Sequence, residues 1–159
     1  MSTGQGGTAE TRQAMFWAAL AAQCAGEPHV TANRIAAALL RTPSATTFCT
    51  RSQIDSAVVC GAADDPERPS FADCEREVSR DLAERGVELG SREHQATLEL
   101  RPLHPIVKPV FDAVVERREQ FAIPPLELLL ALIDADPALA ERLARHGMTA
   151  GRIRAALAV

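Results

Sequence analysis

The residue types that could do chemistry are few and widely spaced. Cys24, Cys49, Cys60 and Cys74 are the four thiols, and no two of them pair as C-x-x-C. Their simplest reading is small buried or half-buried side chains in a reducing compartment. A zinc site built from Cys49, Cys60 and Cys74 would need long, irregular spacings, and a reactive thiol is a third option. His29, His94, His104 and His146 are scattered, and each reads as a loop or helix-end residue. His146, just before Gly147, suits the negative end of a helix. No G-x-x-x-x-G-K-[ST], G-x-S-x-G or H-E-x-x-H is present, and the GQGGT near the start has neither a lysine nor a preceding strand to make a phosphate cradle. Lys108 and Asp112 stand four apart on one helix face. That spacing gives either a surface ion pair of about 0.3–0.5 kcal/mol or one polar edge of a binding patch. Arg152 and Arg154, in MTAGRIRAALAV, could face phosphates.

The elements that must position these residues read as helices throughout. Residues 9–25 are Ala-rich and apolar, with Gly26-Glu27-Pro28 as a stop. Residues 32–41 form a second helix, entered through Val30-Thr31 and broken at Pro43-Ser44. ATTFCTRS is a weak helix, and IDSAVVCGA is a short one capped by Asp55 and stopped by Gly61. In the second half, Val107, Val110, Phe111, Val114 and Val115 recur at helical spacing. They predict a helix from about Pro105 to Gln120, its first turn short or bent around Pro109. A helix starting at Pro124-Pro125 and running through LELLLALID is apolar almost all round and should be buried at the centre. DPALAERLARHG and MTAGRIRAALAV are two more short helices, with Gly147 ending the first and Thr149 capping the second.

Composition narrows the class. The chain has 159 residues, 47% hydrophobic, with a formal net charge of −4 and no tyrosine. It is long enough for one well-packed domain. The acidic balance argues against a general nucleic-acid binder, and 4% aromatics argues against a stacking surface for single strands. No apolar run approaches the ~20 residues that span a bilayer. MSTGQGGTAETR lacks the charged start and apolar segment of a signal peptide. Residues 1–8 are therefore expected as a disordered lead, and the protein as cytoplasmic.

An internal repeat emerges when the halves are set side by side. Met15-Phe16 fall opposite Val110-Phe111, and Val30 opposite Ile123. Ile35 to Leu40 fall opposite Leu128 to Ile133, and Ile54 and Val59 opposite Met148 and Ile153. The expected organisation is all-α: two tandem four-helix repeats, residues 9–61 and 102–159, related by a pseudo-twofold. Between them, residues 62–101 begin as an acidic loop. They then carry FADCEREVSRDLAERG, with Ser70 and Asp73 as a capping-box-like start, Gly86 as a stop, and a stripe of Phe71, Cys74, Val78 and Leu82. This reads as one extra helix in the connection, the alternative being a solvated linker.

The second repeat resembles the Clp amino-terminal domain, the module that precedes the ATPase rings of Clp unfoldases. The residues that carry the likeness are Pro102, Leu103, His104, Pro105, Lys108, Val110, Phe111 and Asp112, then Ile123-Pro124-Pro125-Leu126-Glu127 running into Leu128 to Leu132, with His146-Gly147-Met148 and Ile153 at the close. The likeness extends more weakly over residues 9–61. It implies a free-standing copy of a domain that binds rather than transforms. No enzymatic activity and no cofactor are expected. The implied partners are a Clp ATPase, adaptor or substrate peptides, and cyclic peptide antibiotics. The implied role is adaptor, regulator or decoy in Clp-dependent proteolysis. Phosphoarginine pockets of the family rest on a glutamate, and the matching positions here are Asn33 and Leu126, with Glu127 one residue away. The peptide-antibiotic surface maps onto Leu103, Lys108 and Asp112, and in the first repeat onto Gln13 and Trp17. Trp17 is either a core residue or an exposed aromatic anchor. The alternative function is a small all-helical DNA-binding transcriptional regulator using Arg152 and Arg154.

Overall fold

The computed structural model describes residues 3–63, 71–89, 91, 93–94, 102–117 and 123–158. Nine helices occur among the described residues, and no strand. They are α1 (Thr3–Cys24), α2 (Ala32–Leu40), α3 (Pro43–Arg51), α4 (Ser56–Ala63) and α5 (Phe71–Glu84), then α6 (Val107–Arg117), α7 (Pro125–Ala135), α8 (Pro137–Ala144) and α9 (Ala150–Leu157).

The helix starts follow local chemistry. Thr31, Thr42, Asp136 and Thr149 cap α2, α3, α8 and α9, each side chain accepting from the N–H three residues on. Pro43, Pro125 and Pro137 occupy first-turn positions, where a missing N–H is harmless. Pro43 therefore opens a helix as well as ending its predecessor. Asp55 caps α4 through the N–H groups of Ala57 and Val58.

Four helix ends close in the same way. Glu27 N–H donates to Ala22 O, Ile54 to Cys49 O, Val87 to Leu82 O and Met148 to Leu143 O, at 2.8–3.1 Å. The residue before each donor has positive φ: Gly26, Gln53, Gly86 and Gly147. This is the Schellman closure, which satisfies carbonyls at the helix end and needs a left-handed residue. Glycine supplies it three times, and Gln53, at φ 59°, does so against a steric cost.

Three expected boundaries move. Regular helix begins at Thr3, inside the stretch read as a disordered lead, because extending a helix already anchored is easier than nucleating one. Gly61 does not stop α4, which continues to Ala63. Helix α6 starts at Val107, two residues later than Pro105, which puts Pro109 in the first turn and removes any need for a bend. Residues 118–120, where that helix was expected to finish, and Ser70, the expected cap of α5, lie outside the described residues.

Helices α2 and α7 form the centre. Helix α2 packs on α1, α3, α4 and α7, while α7 packs on α1, α2, α3, α6, α8 and α9. Ile35 to Leu40 of α2 are buried without interruption, as are Leu128, Leu129, Leu132 and Ile133 of α7. Burying each such large side chain contributes about 1.5–3 kcal/mol, several times the worth of any surface ion pair. An isolated parallel bridge ties the segment before α2 to that before α6: Val30 N–H donates to Pro102 O at 2.9 Å and His104 N–H to Val30 O at 3.0 Å. Arg142 of α8 holds the same region together, donating to Asn33 Oδ1 at 2.7 Å and Ala62 O at 3.1 Å. Among the described residues, the Arg34–Glu27 pair is enclosed. Arg34 of α2 donates through Nε to Glu27 Oε1 at 2.8 Å, with side chains 1% and 9% exposed.

The connection does contain a helix. Helix α5 packs along α1, with Leu82 buried and Val78 against the core. Farther along the connection, His94 is buried with its ring edge-on to Phe16 at 5.2 Å. Expected as a loop or helix-end residue, it anchors the connection on α1, and desolvation lowers its pKa.

Candidate functional site

Glu10, Gln13, Ala14 and Trp17 follow i, i+3, i+4, i+7 spacing and so share one face of α1. That face walls a groove of about 550 Å³, closed by Ala38, Arg41, Thr42 and Pro43 at the α2–α3 junction and by Glu75 of α5. Glu10 fixes α1 to α3: its carboxylate accepts the Ser44 N–H at 2.7 Å and the Ser44 hydroxyl. A carboxylate at a helix N-terminus is doubly favoured, by hydrogen bonding and by the helix dipole. Arg41 reaches across to Glu75 at 3.2 Å, so the inserted helix forms the far wall. Trp17 is half-buried, its ring edge-on to Phe16 at 5.1 Å, and Gln13 is exposed. Trp17 is thus neither pure core nor a free anchor, since one side seals α1 and the other faces the groove. Among the described residues the walls carry no cysteine, histidine or serine, and the Thr42 hydroxyl donates to Leu39 O at 2.7 Å. The groove can hold an apolar side chain against the indole and offer a cation, an anion and an amide at its rim.

The other three expected site residues lie elsewhere. Leu103 is half-buried against the core, and its backbone belongs to the bridge with Val30. Lys108 Nζ meets Asp112 Oδ2 at 3.0 Å on the exposed face of α6, with side chains 66% and 58% accessible. These three do not line the groove that holds Gln13 and Trp17. Sequence reasoning missed Glu10, Arg41 and Glu75. Glu10 could have been found from its position on the Gln13–Trp17 face, but Arg41 and Glu75 meet only through the packing of α5.

A second groove, of about 750 Å³, lies between α3, the start of α7 and α9. Phe48, Leu126, Ala155 and Ala156 give it an apolar lining, and Arg51 and Arg152 stand with Ser44, Thr47 and Ser52 at its polar positions. Arg152 donates to Ser52 O at 3.3 Å. Arg154 instead points away to Asp134, its Nη2 donating to Oδ1 at 2.9 Å and Oδ2 at 3.0 Å. That neutralises one of the two arginines on which a phosphate-facing α9 would depend. Asn33 accepts from Arg142, and Leu126 lines this groove.

The thiols do not converge among the described residues. Cys49 is buried, and desolvation raises its pKa. Cys60 donates to Ala37 O at 3.4 Å, and Cys24 is half-buried. The side chain of Cys74 lies outside the described residues. No group of three or more metal-capable side chains occurs among those described, nor does any helix there have the length and apolarity to cross a membrane. Comparison of the chain with family models, with curated proteins and with solved structures finds no match.

Proposed function

We propose that this chain is a non-enzymatic peptide- and protein-binding module organised like the Clp amino-terminal domain. In this reading α1–α4 and α6–α9 are two four-helix repeats and α5 belongs to the connection. The module acts as an adaptor, regulator or ligand-sequestering decoy in Clp-dependent proteolysis. The observation that carries the reading is the matched burial of the two halves. Val30 and Ile123 are both buried ahead of the central helices, and Ile54 and Met148 both follow a left-handed residue and are buried. Val59 and Ile153 are both fully buried one turn later, while Met15-Phe16 and Val110-Phe111 are all half-buried. Packing is matched as well: α1 on α2 and α2 on α4 correspond to α6 on α7 and α7 on α9. An ordinary helical bundle has no need of this correspondence.

The groove beside Gln13 and Trp17 is the better candidate for ligand contact, because it pairs an aromatic wall with polar groups. Leu103, Lys108 and Asp112 supply a second, flatter surface, suited to a cyclic peptide or to the ATPase itself. The test is a degradation assay in which a purified Clp ATPase and its peptidase digest fluorescein-labelled casein while this protein is titrated in. A decoy slows digestion only when it is in excess of the shared ligand, whereas an adaptor changes the rate at stoichiometric levels. Trp17→Ala should remove either effect. An unchanged rate at every ratio, with no binding to the ATPase by sedimentation, would refute the proposal.

A further inference from the structure

We propose that the groove between α3, α7 and α9 binds an extended acidic peptide segment that carries apolar residues. This stands apart from the Clp reading and from the groove at Trp17. Three observations carry it. First, the groove reverses the sign of the molecule. The chain has 21 acidic and 17 basic residues, yet among the described residues no aspartate or glutamate lines this groove and two arginines do. Second, neither arginine is neutralised by a carboxylate among the described residues. Arg152 donates to the Ser52 carbonyl, and Arg51 is exposed at the last turn of α3. The carboxylate of Glu10 is engaged by Ser44, a lining residue, at the start of α3. Third, the floor is apolar, with Phe48 and Leu126 flanked by the small Ala155 and Ala156. These alanines leave room for backbone to approach closely.

The chemistry selects the occupant. Guanidinium groups bind carboxylates through short charge-assisted hydrogen bonds. An apolar floor between them favours a ligand that alternates charge with hydrocarbon. A volume of about 750 Å³ accommodates a short stretch of extended chain. A nucleic-acid strand fits poorly, because among the described lining residues two cations are offered and no tryptophan, and the molecule around it is net negative.

The experiment is fluorescence anisotropy with a labelled peptide of alternating glutamate and leucine, beside a lysine–leucine peptide and a short labelled oligothymidine. The full chain is compared with Arg51→Gln, Arg152→Gln, the double variant and Trp17→Ala. The expected result is saturable binding of the glutamate peptide alone, weakened about fivefold or more by each arginine change and unaffected by Trp17→Ala. Both arginines are exposed, so melting curves of the variants should match the parent, and Arg51→Lys should restore part of the affinity. Equal binding of the lysine peptide, preference for the oligonucleotide, or affinity indifferent to both arginines would overturn the proposal. So would the absence of binding at millimolar protein.

Discussion

Removing the carboxylate of Glu27 should destabilise this protein more than any surface change. The Arg34 side chain is 1% exposed and its Nε donates to Glu27 at 2.8 Å, so Glu27→Ala leaves a guanidinium enclosed in the α1–α2 core without that counter-charge. Breaking a buried pair from one side costs about 3–5 kcal/mol, because the remaining charge keeps its desolvation penalty and loses its attraction. That is a large part of the roughly 5–15 kcal/mol that holds a domain folded. At about 2–4 °C per kcal/mol for this chain length, the melting temperature should fall by about 6–20 °C. Arg34 cannot easily escape to water, since Ile35 and Ala36 beside it are themselves fully buried and fix the register of α2. The double change Glu27→Leu with Arg34→Met should recover most of the loss, because both charges leave together. Urea unfolding followed by helical circular dichroism, on the parent, Glu27→Leu, Arg34→Met and the double, gives the complete cycle. A coupling below about 0.5 kcal/mol, the range expected of independent sites, would refute the reasoning.

The remaining predictions are smaller. Gln53→Gly should stabilise by about 0.5–1 kcal/mol, since Gln53 holds a left-handed turn that glycine holds at Gly26, Gly86 and Gly147; urea midpoints check it. Lys108→Ala and Asp112→Ala should each cost no more than about 0.3–0.5 kcal/mol in stability, as expected for an exposed i, i+4 pair. If the pair is a peptide clamp, either change should weaken a bound cyclic peptide as much as both together. His94 is buried with a lowered pKa, so the unfolded chain takes up its proton more readily than the folded one. Its contribution is therefore complete above the ordinary histidine value near 6.5 and is lost as pH falls through the lowered folded value. The stability difference between the parent and His94→Gln should accordingly shrink between pH 7.5 and pH 5, and a constant difference would show that His94 does not titrate in this way.

Legibility differed between elements for physical reasons. The last three helices were readable because their signals are local: Pro125, Asp136 with Pro137, and Thr149 mark starts, and Gly147 marks an end. Gly61 misled, because an exposed glycine weakens a helix without being obliged to end it. Gln53 gave no signal at all, since its left-handed backbone is imposed by burial of Ile54 beyond it.

The sequence by itself determined the helical class, most of the caps, and the apolar stripes that make α2 and α7 central. These follow from propensities and from a 3.6-residue period, which act over a few neighbours. Tertiary structure alone decided which surfaces are concave and which charges are enclosed. Arg41 meets Glu75 only because α5 lies along α1, and Arg34 becomes a buried cation only because α1 and α2 close over it. Arg51 comes beside Arg152 only because α9 packs on α7 next to α3. Each of these depends on contacts between residues far apart in the chain, and local spacing carries no record of them.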